Sequence, residues 1–214
     1  MRYDLRLVTL IPLAFSLVVG GSLRAEPLKV LSIGNSFSIR MHEHVPLVLE
    51  GLGMKIDMAS LYIGGCSLER HWRNAVNTND LSYLLQWSRD GKKQGRWPEL
   101  AKCRKPTFWK DKKTGVLSPA KGANICEVLK AEPWDVVTIQ QASACSWRAD
   151  TYHPYGDDII RIIRKCAPTA KIVVQETWSG TPFDRRLADW GIDQDAMYEK
   201  LHTAYRDFAA GYGF

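Results

Sequence analysis

Four short apolar runs punctuate the chain, at Leu28 to Ile33, Lys55 to Leu61, Asp135 to Ile139 and Lys171 to Val174. Each is rich in β-branched residues, and none alternates cleanly with polar ones. Strands that read as near-continuous apolar runs are covered on both faces, the pattern of a parallel sheet. Between them the apolar positions move to helical spacing, over Ile39 to Leu52, Ser67 to Trp87, Gly156 to Cys166 and Asp193 to Ala210. In the last segment Ala196, Met197, Leu201, Ala204, Tyr205 and Phe208 share one stripe. Repeated strand and helix units predict an α/β fold of three layers, doubly wound around a parallel sheet. Residues Gly211 to Phe214 read as a helix cap and the approach to another strand. The sheet is therefore expected to lack its last βα unit, in a domain that is C-terminally incomplete.

The stretch between Trp87 and Ala123 breaks the rhythm. It reads as a loop or an exposed hairpin, with Lys113-Thr114-Gly115 as its turn. Its Trp97, Phe108 and Trp109 suit a lid or a sugar platform, or simply packing of a long loop onto the body. The chain of 214 residues holds 29 Lys+Arg against 23 Asp+Glu, yet the surplus is local. Residues 87 to 121 alone carry eleven basic and three acidic side chains. A nucleic-acid binder spreads basic residues along an extended groove. One basic insertion does not, so no nucleic-acid partner is expected.

Arg2 and Arg6 precede the apolar run Leu7 to Gly20, and the small or polar residues GSLRA follow. That order marks residues 1 to 25 as a signal peptide and places the product outside the cytoplasm, secreted or periplasmic. An uncleaved N-terminal anchor is the alternative, because Leu23 is a poor residue three positions before a cut after Ala25. Once the segment is cleaved, no stable membrane span is expected in the domain at 26 to 214, which is long enough to bury one core. Five cysteines in an exported chain permit disulfides, but no CxxC pair suggests a zinc ribbon or a redox motif. Cys103 and Cys126 flank the basic insertion and could close it.

The chemistry concentrates in Val30-Leu31-Ser32-Ile33-Gly34-Asn35-Ser36-Phe37-Ser38. A strand that runs through a Gly-Asn-Ser turn into a helix sets Ser36 at the carboxyl end of the first strand, where open α/β sheets bind ligands. Helix N-terminal amides favour developing negative charge there, and a serine so placed suits nucleophilic attack. Helix capping is the competing role for Ser36.

This segment resembles the first block of the SGNH (GDSL-like) hydrolases, in which Gly-Asp-Ser is often Gly-Asn-Ser. Tyr62-Ile63-Gly64-Gly65-Cys66-Ser67-Leu68 is similar to the second block, whose glycine offers an N–H to the oxyanion. Trp134 to Ser143 (WDVVTIQQAS) stands where the third block, Gly-x-Asn-Asp, falls. The resemblance implies a flavodoxin-like fold with Ser36 as nucleophile and Gly65 as an oxyanion donor. Gln140 would replace the usual Asn as the third donor, since both side chains carry an NH₂. Gln141 is the fallback, and for both glutamines the alternative is a satisfied polar residue pinning the next loop.

The family's base is the His of a C-terminal Asp-x-x-His pair, and none follows Ala210. Asp150-Thr151-Tyr152-His153 matches the spacing but lies in the wrong topological position. His202 falls within the last helix, while His42, His44 and His71 show no metal-ligand spacing. Trp178, Trp147, Tyr152 and Tyr155 follow strands on the presumed rim and suit a sugar ring or ordinary packing. The sequence thus reads as an exported serine esterase acting on an acylated carbohydrate, with no metal or organic cofactor. A non-catalytic glycan-binding or scaffold module is the rival reading.

Overall fold

Eight strands and eight helices form in the computed structural model, which describes residues 26–111 and 113–214; the expected signal segment lies outside them. The strands are β1 (Leu28–Gly34), β2 (Ile56–Tyr62), β3 (Leu84–Arg89), β4 (Lys92–Lys93), β5 (Lys105–Lys110), β6 (Leu117–Gly122), β7 (Val136–Ile139) and β8 (Lys171–Val174). The helices are α1 (Ser36–Gly51), α2 (Leu68–Val76), α3 (Pro98–Cys103), α4 (Ile125–Ala131), α5 (Ser143–Ser146), α6 (Tyr155–Cys166), α7 (Arg185–Asp189) and α8 (Gln194–Ala210). All four predicted apolar runs are strands. Their side chains are buried because helices cover the sheet, as in Leu31, Ile33, Ala59, Leu61, Val137 and Ile139.

Six strands make the main sheet in the order β4-β3-β2-β1-β7-β8. The four from β2 to β8 are parallel, with Val30 opposite Met58 on one side and Val136 on the other. Helices α2, α4 and α6 pack on one another, while α1 packs on β1 and β2. The expected doubly wound α/β class is therefore the observed one. The chain leaves β1 in one direction through α1 to β2, and returns past β1 to β7. The carboxyl ends of β1 and β7 thus border the crevice at which such sheets bind ligands.

Two expectations fail in the middle of the chain. The helix predicted to run from Ser67 to Trp87 stops at Val76, and residues 84–89 join the sheet as an antiparallel strand. Asn77 and Asp80 interrupt the helix with side chains that accept from the backbone N–H groups of Asn79 and Ser82. Beyond them the period becomes two, with Leu85 and Trp87 buried and their neighbours partly exposed. The insertion does contain the anticipated hairpin, β5 with β6, as a separate two-stranded sheet. Its turn is stitched by Asp111, which accepts from Lys113 N at 2.9 Å and Thr114 N at 2.7 Å, and Gly115 supplies a φ of +73°. Trp97 is core rather than lid. All five cysteines are free thiols, so Cys103 and Cys126 do not close the insertion. Their sulfurs bond the carbonyls of Glu99 and Ala75 instead.

Among the described residues no helix is long and apolar enough to cross a membrane.

Candidate active site

Asn35 ends the turn after β1 and caps α1, its side chain accepting from Phe37 N at 3.2 Å. It is buried, and its amide group reaches two other loops. Nδ2 donates to the Cys66 carbonyl at 3.1 Å and to the Gln141 carbonyl at 3.4 Å. Cys66 belongs to the turn after β2, and Gln141 to the turn after β7. One buried side chain therefore ties together the three segments that the sequence set 31 and 106 residues apart. A second tie, Ile63 N to Gly34 O at 3.2 Å, holds the first two turns edge to edge.

Ser36, the first residue of α1, is exposed at this junction. As a first-turn amide its N–H lies outside the helical ladder. The 16-residue helix has no acidic side chain in its first turn, so no carboxylate offsets the positive end of its dipole beside the hydroxyl. Gly65 lies in the turn after β2 at φ +61°, a conformation that side-chain-bearing residues rarely adopt. It is exposed, and its N–H has no partner among the described residues.

Gln140 and Gln141 are buried and engaged. A Cβ on Gly34 would stand 2.8 Å from Gln140 Nε2, so the glycine makes room for the Gln140 amide to pass beneath the turn. That amide lies 2.8 Å from Asn35 Oδ1; with its oxygen on this side it accepts from Asn35 N at 3.1 Å and Ser38 N at 3.2 Å, while its nitrogen donates to Gln175 Oε1 at 2.9 Å. The group expected to reach an oxyanion is thus held against the residue before the serine. Gln141 Oε1 accepts from Leu68 N at 3.0 Å and Ala142 N at 2.9 Å, while Nε2 donates to the Thr151 carbonyl at 3.1 Å. Tyr205 of α8 accepts from Gln141 N at 2.9 Å. Gln141 thus ties α2, the Thr151 turn and α8 together behind the site.

The histidines go elsewhere. His42 faces Ser32 Oγ at 3.2 Å, and burial lowers its pKa to about 4. His71 lies under α2, with Nδ1 at 2.7 Å from the Tyr83 hydroxyl and 3.5 Å from Cys66 Sγ. Burial, with Arg70 beside it, lowers its pKa to about 3, and burial pushes the Cys66 thiol up to about 12. This pair is neutral and shut away from solvent. His153 bonds Asp157 at 2.8 Å and not Asp150, which pairs with Arg148. His202 pairs with Glu176 at 3.0 Å on the exposed side of α8. His44 lies eight residues along α1 from Ser36, about 12 Å at 1.5 Å per residue.

Of the four aromatics expected on the rim, Trp178 alone is exposed, at 54%, its ring 4.3 Å edge-on from Phe37 next to the nucleophile candidate. Tyr152 is core and donates to Ser146 O at 2.8 Å, Tyr155 packs on Trp72, and Lys200 lies over Trp147. Among the described residues no three His, Cys, Asp or Glu side chains cluster to hold a metal. Sequence reasoning gave Asn35 no part of its own. Its signal was the Asn before a helix-starting residue, a capping position.

The Ser36 hydroxyl thus stands at the switch point of a mostly parallel sheet, where three turns converge. The solved structures agree on the fold. A DUF4886 family protein from Bacteroides uniformis superposes with a TM-score of 0.68 at 24% identity, over 88% of this chain and 65% of that one. This chain thus spans just under two thirds of that neighbour. A protein from Slackia heliotrinireducens, provisionally described as an SGNH hydrolase, superposes with a TM-score of 0.51 at 21% identity, over 88% of this chain and 77% of that one. No family model matches the sequence, and no curated protein does.

Proposed function

We propose that this chain is an exported serine esterase of the SGNH type that removes acyl groups from carbohydrate. The observation that carries the reading is the Asn35 side chain, whose bonds to the Cys66 and Gln141 carbonyls gather three loops around the exposed Ser36. In this reading the Ser36 hydroxyl attacks the ester carbonyl. The oxyanion accepts from the N–H groups of Ser36 and Gly65, with the α1 dipole adding to its stabilisation. Gln140 acts through Asn35, holding the turn that presents the serine. Trp178 offers a face for a sugar ring beside the hydroxyl. The Slackia neighbour supports a hydrolase-like fold, and the substrate class and export rest on the motifs.

A serine needs a positioned proton acceptor, and no described histidine bonds Ser36. That observation favours a second reading, a glycan-binding module on the same fold. One experiment separates the two. The esterase should label at Ser36 with a fluorophosphonate probe and hydrolyse p-nitrophenyl acetate, and Ser36→Ala should lose both with an unchanged circular dichroism spectrum. The expected drop is about 10³-fold or more, the usual consequence of removing a triad nucleophile. A protein that neither labels nor turns over acetate, yet retains acylated oligosaccharide, is the binding module.

A further inference from the structure

A groove of about 840 Å³ begins at Gly64, one residue before the proposed oxyanion donor, and runs beneath the β5–β6 hairpin. One wall is the turn after β2 with Arg70 of α2, and the other is Thr107, Phe108 and Lys110 of the hairpin. Its floor is the loop from Asn77 to Leu84. The hairpin is fastened to that floor by backbone contact. Ala123 N donates to Tyr83 O at 2.9 Å, and Asn124 Nδ2 lies 3.4 Å from each of the carbonyls of Asn77, Thr78 and Asp80. A Cβ at Gly122 would stand 1.7 Å from the Leu81 carbonyl oxygen, so the approach is as close as glycine permits.

The lining has a definite chemistry. Arg70 and Lys110 are exposed and make no ion pair among the described residues. Asp80, the acidic group on the floor, accepts from Ser82 N instead. Phe108 is 70% exposed, an apolar ring left in water at the mouth of the groove. A flat apolar face in the same groove as two unpaired cations suits a sugar ring that carries an anionic substituent. We infer that the groove binds an anionic glycan, stacking a sugar on Phe108 and pairing its carboxylate or sulfate with Arg70 and Lys110. The basic insertion is then the specificity element of the site, and this inference rests on the proposed esterase only for the claim that the bound chain presents its ester at Ser36. The volume is that of a small-ligand pocket and not of an extended polynucleotide track.

The test measures binding apart from hydrolysis. The Ser36→Ala chain is titrated calorimetrically with oligogalacturonate, a sulfated dextran oligosaccharide, a neutral cello-oligosaccharide and a single-stranded oligodeoxynucleotide. At least one anionic glycan should bind about tenfold more tightly than the neutral one, and the two anionic arms tell carboxylate from sulfate. Arg70→Glu and Lys110→Glu should each weaken that binding about tenfold, and Phe108→Ala about as much. Lys171→Glu makes the same charge change at the opposite end of the sheet and should leave it intact. Equal affinity for the neutral sugar, tighter binding of the oligodeoxynucleotide, or full affinity in the Arg70 and Lys110 variants would overturn the inference. Acetate turnover by the Ser36-bearing chain reads the esterase separately: turnover without anionic preference sinks only the groove, and preference without turnover sinks only the hydrolase.

Discussion

Replacing Asn35 with alanine removes the bond that organises the site, and the cost can be built from its partners. The α1 cap on Phe37 N is lost, which is worth about 1 kcal/mol. The Cys66 carbonyl is left buried without its partner, at about 1–2 kcal/mol, while the Gln140 amide keeps its backbone partners at Asn35 N and Ser38 N. The Gln141 bond is long at 3.4 Å and adds little. The sum is about 2–3 kcal/mol, within reach of a domain stable by roughly 5–15 kcal/mol, so the variant should fold but melt early. Urea denaturation at pH 7 reads the loss, and acetate turnover of the same sample should fall further than the folded fraction does. Asn35→Asp supplies the contrast. It keeps an acceptor for Phe37 but sets a second oxygen where Nδ2 faced the Cys66 carbonyl, so the carboxyl must hold a proton to donate there. A carboxyl whose folded pKa is raised loses its stabilising effect as pH rises through that value. Relative to the parent, this variant should therefore be weaker at pH 7 than at pH 4. A loss below 1 kcal/mol for Asn35→Ala, with turnover within twofold of the parent, would refute the claim that this side chain holds the three turns.

Other outcomes follow from single residues. Gly65→Ala meets open space, so its stability cost should be the left-handed backbone alone, about 1–2 kcal/mol by thermal melting, while acetate turnover falls more steeply. Gly122→Ala forces a Cβ into the Leu81 carbonyl and should cost about 3 kcal/mol, with faster proteolysis of the hairpin; an unchanged digest would mean that the hairpin is not seated there. Burial holds His71 near a pKa of about 3 and His42 near about 4, so the unfolded chain takes up protons first on acidification. Stability should fall as pH drops from about 6.5 towards 4, by about 2 kcal/mol per pH unit near pH 5, and His71→Leu should flatten that slope by about half.

The sequence by itself determined the α/β class. Runs such as Leu28 to Ile33 and Asp135 to Ile139 lack polar alternation, and that pattern survives only where helices cover both faces of a strand. It also located the turn that presents Ser36 and the hairpin turn at Lys113 to Gly115, because glycine, Asn and Asp act locally on the backbone. Only the tertiary structure decided that residues 84–89 pair with β2, since a period of two over six residues is short and follows a helical stretch. The partners of the polar side chains were decided there too. Gln140 faces Asn35 rather than a substrate, His71 meets Tyr83 rather than Ser36, and the groove under the hairpin joins residues from four segments. A hydrogen bond between residues a hundred positions apart leaves no periodicity in either one, so the fold alone reveals which buried amide lies opposite which carbonyl.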